Sequence, residues 1–407
     1  MDFFYIILSI FLLLFGFLAF RSPKLTAYII LSALPTYVIR FEIFALPATL
    51  LEAMILILFF TFFFRNRHTM RIGRWWIPCV LLLLASGIAL FVTPDLHAGL
   101  GILKAYIVEP MLFFVVLTHV FEQKNFGHIF IALGISVCLI ASIAVFQYAT
   151  GFGIPEPWNA ELWRRATSVY GYPNAVGLYL APITALFFAK FVHLRTGRMF
   201  ALIIICFGML GIFVSRTEGA LIAIIASAFF VITLTKYWRT AIVIFALLLL
   251  LGFSVPDIRH LLLFQDVSGD VRLALWKGTW NLLQAHPLQG AGLAGFPFVY
   301  DRFRLPSHVE LLQYPHNIFL DFWVELGLLG LVWLIGICVW YFFTGLRVLW
   351  RHTDSDPYVK IILAPMIATF VYGLVDVTYF KNDLSILFWL WLAVMRIIAV
   401  QKLKNSL

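Results

Sequence analysis

The chain has 407 residues, of which 63% are hydrophobic and 12% charged, whereas a soluble globular domain runs at roughly 45–50% and about 25%. No water-soluble fold hides that much apolar surface. The net charge of +9 sits mostly in short connections between apolar runs, where it reports membrane topology and not a nucleic-acid partner. The expectation is one all-α domain over 1–407, a polytopic helix bundle held in a lipid bilayer.

Crossing the hydrocarbon layer takes about 20 mostly apolar residues. Such runs predict helices over 3–20, 25–38, 44–64, 75–92, 100–120, 129–149, 174–191, 201–213, 220–234 and 241–253. After a long polar stretch they predict three more, over 318–343, 361–375 and 384–399, giving about 12–13 transmembrane helices. The first run is too long and too acidic at its start for a cleaved signal, and no small-residue cleavage site follows it, so it is expected to stay as a helix. The stretch 25–64 is interrupted by Pro35, Arg40, Glu42 and Pro47, and any re-entrant segment is expected there. Cys79, Cys138, Cys206 and Cys338 all fall within apolar runs, with neither paired nor metal-ligand spacing.

Orientation follows from the basic residues flanking the spans. Arg65, Arg67, Arg71 and Arg74 share one loop; Arg195 and Arg198, Lys236 and Arg239, Arg347 and Arg351, and Lys402 and Lys404 lie in others of the same parity. These are assigned to the cytoplasm, which puts 93–97, 150–171, 215–218, 254–315 and 377–383 outside, and the N-terminus with them if all thirteen segments span. Loop 150–171 carries Glu156, Glu161, Arg164 and Arg165 beside Trp158 and Trp163, as suits an interfacial segment. Loop 254–315 is the large outer loop, with a predicted helix over 270–285 and glycine-rich turns after it. A long loop among short ones usually carries function.

Arginine beside hydrocarbon is costly and needs an anion or carboxylate to justify it. Arg165, Arg216 and Arg272 all lie at outer helix ends, and an arginine fork matches two phosphate oxygens at once; three together would suit a diphosphate. The plainer reading pairs Arg216 with Glu218, and Arg272 with Asp270 or Asp266, as solvated ion pairs. His316 opens the span 318–343 from the outer side and is a candidate general base; the plainer reading is an interfacial histidine satisfied by water, and this holds more strongly for His286 and His308. Gly290–Ala291–Gly292 and Gly295 permit tight turns without the flanking strand and helix of a nucleotide site. Lys104, Glu109, Glu325 and Asp376 are ionisable inside or at the edge of predicted spans and are suspects by position. No cluster of His, Cys and carboxylates suggests a metal.

Taken in order, Arg165–Ala166–Thr167–Ser168, Pro173–Asn174, Tyr179, Ser215–Arg216–Thr217–Glu218–Gly219–Ala220, Arg272 with Trp276, Pro287, Gly290–Ala291–Gly292 with Phe296, and His316–Asn317 with Glu325, Gly327 and Gly330 resemble the O-antigen ligase and O-antigen polymerase superfamily of bacterial glycan-assembly proteins. The resemblance covers Arg165 to about Gly330. It implies a GT-C-like membrane fold in the bacterial cytoplasmic (inner) membrane, with the site on its outer, periplasmic side. It further implies a metal-independent, inverting transfer of a glycan from undecaprenyl diphosphate to an acceptor hydroxyl, with no cofactor. In the ligase the acceptor is lipid A–core; in the polymerase it is another lipid-linked chain. Carried over, Arg216, Arg272 and Arg165 hold the diphosphate and His316 orients or deprotonates the acceptor, with Asn174, Glu218, Asn317 and His308 as secondary candidates. The modest size and single large outer loop lean towards the ligase, while polymerase stays open. From another class, a transporter or lipid-linked glycan flippase is the alternative, though the halves show no convincing repeat.

Overall fold

The computed structural model describes residues 2–43, 46–70, 72–306, 312–351 and 356–404. The apolar runs become helices because a backbone in hydrocarbon must satisfy its N–H and C=O groups within its own segment. Helix α1 (Asp2–Arg21) is followed at once by α2 (Pro23–Ser32), whose Pro23 stands in the first turn, where a missing N–H costs nothing. A 3-10 turn, Leu34–Val38, continues α2, and a hairpin of β1 (Arg40–Ile43) and β2 (Leu46–Thr49) leads into α3 (Leu50–Asn66). The predicted helix over 44–64 therefore starts late. Pro47 and Glu42 face each other in the hairpin, and a Thr49–Glu52 capping box sets the first turn of α3.

Next come α4 (Trp76–Val92), α5 (Leu96–Ile102), a π-helical stretch over Leu103–Val108, α6 (Glu109–Val120), α7 (Phe126–Thr150), α8 (Pro173–His193), α9 (Arg198–Ser215) and α10 (Glu218–Thr233). After α11 (Trp238–Ser254), the short α12 (Pro256–Leu262) turns away by 105°. The outer loop holds α13 (Val267–Ala285) and α14 (Phe296–Tyr300), and the bundle closes with α15 (Ile318–Arg351), α16 (Pro357–Gly373) and α17 (Asn382–Lys404). Among the described residues eight helices are long and apolar enough to cross a membrane, nine if α11 and α12 form one span, and α10 and α16 are shorter apolar helices.

The centre of the bundle is α8 and α17, whose most apolar windows are 83% and 89% buried against 17% for α1. Helix α8 packs on α9, α10 and α16; α17 packs on α6, α15 and α16. Where α6, α15 and α17 meet, Phe114, Phe322, Trp333 and Trp389 pack ring against ring. The two ends differ in kind. At one, Gln123 before α7 donates to Asp356 before α16, and Lys402 late in α17 sits 3.4 Å from the same carboxylate. The basic residues Arg65, Arg74, Arg198 and Arg347 belong to this end, while Arg71 lies outside the described residues. The other end gathers the starts of α8, α10 and α17 with the ends of α9 and α16. The interrupted segment also runs between them: Tyr28 in α2 stacks on Phe121, and Tyr37 in the 3-10 turn stacks on Tyr170.

At the second end α13, α14 and the first turns of α15 share a small core of Leu275, Leu282, Leu283, Phe296, Tyr300 and Val324. Helix α15 is broken at Gly327, where φ is 68°, and the loop after α13 is stitched into the break. Leu328 donates its N–H to Leu288 O (2.9 Å), Ala291 to Val324 O (2.8 Å) and Ala294 to Glu325 Oε2 (2.6 Å). Gly290 lies so close to the Trp323 and Val324 carbonyls, at φ 65°, that no side chain fits. Glu325, an ionisable residue in a predicted span, is thereby a tie for this loop.

Candidate active site

The chain leaves α9 through Arg216, which takes the left-handed backbone (φ 50°) that ends many helices and usually falls to glycine. Its side chain is exposed, with the guanidinium 5.9 Å from the centre of the Trp163 ring. Among the described residues no carboxylate lies within ion-pair distance of Arg216, so the pairing with Glu218 is not made. Arg165 braces the turn: its Nε donates to Ser215 O (3.0 Å), and Nη2 donates to Arg216 O (3.3 Å) and to Asn174 Oδ1 (2.9 Å), while Trp158 covers it at 5.1 Å.

From Asn174, in the first turn of α8, the contacts continue. Its Nδ2 donates to Asp376 Oδ2 (3.1 Å), and Asp376 Oδ1 faces His316 Nδ1 at 2.9 Å and accepts the Val377 N–H at 2.8 Å. The Asp376 side chain is 4% exposed and the His316 ring 29%, so the carboxylate is sealed beneath a ring that reaches the surface. Burial alone would raise the Asp376 pKa; the facing imidazole, the Val377 amide and the Arg272 charge outweigh it and hold the group below its ordinary value. A carboxylate accepting from Nδ1–H makes Nε2 the basic nitrogen of the imidazole. His316 itself is strained, with φ at 47°.

Arg272, in the first turns of α13, donates from Nε to Val375 O (3.0 Å) and from Nη1 to Ser268 Oγ (2.7 Å). It pairs with neither candidate carboxylate among the described residues; Asp266 instead caps α13 through Ser268 N–H and Gly269 N–H. Trp276, one turn on, donates Nε1–H to Pro315 O (3.0 Å) and so fixes the approach to His316. Asn317 is a cap: Oδ1 accepts from Phe319 and Leu320 N–H at the start of α15, and Nδ2 reaches Leu374 O at 2.9 Å. His286 packs edge-on to Phe303 beside Gln289, away from these groups, and His308 lies outside the described residues.

Three arginines and a histidine backed by a carboxylate thus meet at one end of the bundle, on α9, α13 and α15 and the loops before α8 and α17. Residues 200–335 match the O-antigen ligase family. The match covers about a third of the chain and spans α9 to α15, with Arg216, Arg272 and His316 inside it, and it supports the resemblance carried by the motifs. The chain is a multi-pass membrane protein, and the O-antigen ligase match supports glycan transfer in O-antigen pathways with lipid-linked glycan and acceptor as partners. No curated protein matches the chain. Arg165, Asn174 and Asp376 lie outside the O-antigen ligase match and reach it through the hydrogen bonds above.

One cluster beside the O-antigen ligase match escapes sequence reasoning. Lys381, just before α17, buries its ammonium over the Tyr170 ring (3.9 Å), with Tyr37 and Tyr172 at 5.5 and 5.7 Å and Asp383 Oδ1 at 3.9 Å. Tyr170 donates its hydroxyl to Asp383 Oδ2 (3.0 Å). Burial lowers the Lys381 pKa, against the opposing pull of Asp383 and Asp376. The rings come from separate parts of the chain, and no spacing in the sequence connects them.

Proposed function

We infer that the protein is an O-antigen ligase-like glycosyltransferase, moving a glycan from undecaprenyl diphosphate to an acceptor hydroxyl, lipid A–core in the ligase reading, at the outer face of the cytoplasmic membrane. The observation that carries this is the continuous line His316–Asp376–Asn174–Arg165 ending on the Arg216 turn. It joins a poised base to an anion-binding group within one rigid set of contacts. The acceptor oxygen attacks the anomeric carbon opposite the diphosphate and inverts it. The bond to the diphosphate oxygen breaks, and its electron pair stays on that oxygen. Arg216 and Arg272 stabilise the charge that develops there, and Arg165 adds its own while holding the Arg216 turn. The hydroxyl proton passes to His316 Nε2, and Asp376 steadies the imidazolium, as the buried aspartate does in serine-hydrolase triads.

Undecaprenyl diphosphate is a good leaving group, so forked arginines can take the place of a divalent cation. Transfer by the purified protein in lipid nanodiscs, from a lipid-linked glycan to lipid A–core, is expected to survive excess EDTA. Loss of turnover restored by magnesium or manganese removes the metal-independent reading. Transfer only to a second lipid-linked glycan makes the enzyme a polymerase, and uptake of the lipid donor across the bilayer with no new glycosidic bond makes it a flippase.

A further inference from the structure

The turn that stands over Arg216 is apolar and open. In the 3-10 turn Glu161–Trp163, Leu162 is 85% exposed and Trp163 74%. The Arg216 guanidinium lies at the Trp163 ring and has no carboxylate partner among the described residues. Below Arg216, Phe213 and Leu210 occupy one face of α9 at a spacing of three, 70% and 51% exposed. A cation without a counter-charge, roofed by exposed hydrocarbon and continued downward by more of it, complements a ligand that is anionic at one end and apolar at the other. A sugar would ask for hydroxyl partners that Leu162, Phe213 and Leu210 do not offer.

We propose that Leu162 and Trp163, with Phe213 and Leu210 beneath, receive the first isoprene units of the lipid diphosphate donor beside the phosphates held at Arg216. This rests on the donor assignment above and adds a residue set that discriminates the lipid end of the donor. The turn closes over the α-isoprene units as a roof, and the α9 face leads the rest of the tail into the bilayer. Trp163 serves both ends, with its face on the guanidinium and its edge on the hydrocarbon.

The test compares two ligands on the full-length protein in phosphatidylcholine nanodiscs: undecaprenyl diphosphate and the short geranyl diphosphate, whose tail is too brief to follow α9. Variant and wild type are compared within each ligand, so partitioning of the lipid cancels. The combined Leu162→Ser and Trp163→Ser variant is expected to bind undecaprenyl diphosphate about tenfold more weakly, the loss of a modest apolar contact, with geranyl diphosphate changed by much less. Trp163→Leu, which keeps the hydrocarbon, should retain most of the long-tail affinity. Arg216→Ala should weaken both ligands. Unchanged undecaprenyl diphosphate binding in the double serine variant overturns the inference even if Arg216→Ala behaves as expected. Equal losses for both ligands overturn it too, because the turn then serves the phosphates. If the double variant only lowers thermal stability in the nanodisc, the turn is a bilayer anchor and the inference falls. If Arg216→Ala alters neither ligand, the diphosphate assignment fails first.

Discussion

At the scale of single residues, the site is built from groups held in positions a chain does not take by preference. Arg216 and His316 both occupy left-handed backbone, which costs a residue with a Cβ roughly 1–2 kcal/mol. Arg216→Gly should therefore stabilise the fold by about 1 kcal/mol, read as a higher melting temperature, while abolishing transfer. Arg216→Lys is expected to fail nearly as badly as Arg216→Ala, since a point charge does not replace a fork on two phosphate oxygens; near-normal turnover of the lysine variant on the lipid diphosphate donor would reduce Arg216 to a general counter-charge. For His316, an acid–base group contributes about 10²–10⁴-fold to rate, so His316→Ala should lose that much, and His316→Gln almost as much, because an amide cannot take a proton. His286→Ala, remote from the site, is the control. Asp376→Asn should lower the rate with donor affinity preserved, because the amide leaves the histidine without its carboxylate; a variant that keeps its rate removes Asp376 from the mechanism. The residues themselves were legible in the sequence, because arginines at outer helix ends and a histidine at the mouth of a span are anomalies against hydrocarbon. Their connections were not: Asp376 lies sixty positions from His316, and Lys381 draws on Tyr37 and Tyr170, partners that only the fold brings near.

At the scale of elements, hydropathy located nearly every helix but not how helices begin, break or stop. The break at Gly327 leaves no mark in hydropathy, whereas the hairpin before α3 shows only as an interruption at Arg40, Glu42 and Pro47, and the π-helical stretch before α6 only as Lys104 within an apolar run. Capping, in contrast, is written locally. Asn317 accepts two N–H groups at the start of α15 and reaches across to Leu374, two residues from Asp376. Asn317→Ala is expected to cost about 1 kcal/mol, seen as a lowered melting temperature, and to reduce transfer far less than His316→Ala. An activity loss as deep as that of the histidine variant, at unchanged stability, would place Asn317 on the substrate and not on the helix.

At the scale of the whole molecule, the split of charge between alternate loops is expected to place the Arg65 end in the cytoplasm and the site outside. In a background with the four native cysteines replaced by alanine, an impermeant thiol reagent should label Arg302→Cys and spare Arg67→Cys in intact cells with a permeabilised outer membrane. The reverse pattern inverts the orientation and moves the site to the cytoplasm. The rings of Phe114, Phe322, Trp333 and Trp389 are buried and pack on one another within the bundle. On the proposed reading, a charged headgroup that docks at the Arg216 end would have to pass those apolar rings to cross the bundle. On that reading the spent carrier is returned to the leaflet from which it came, still bearing its phosphates. Each such turnover would leave one carrier on the far face, and the pace of glycan assembly would be tied to whatever machinery strips and returns it.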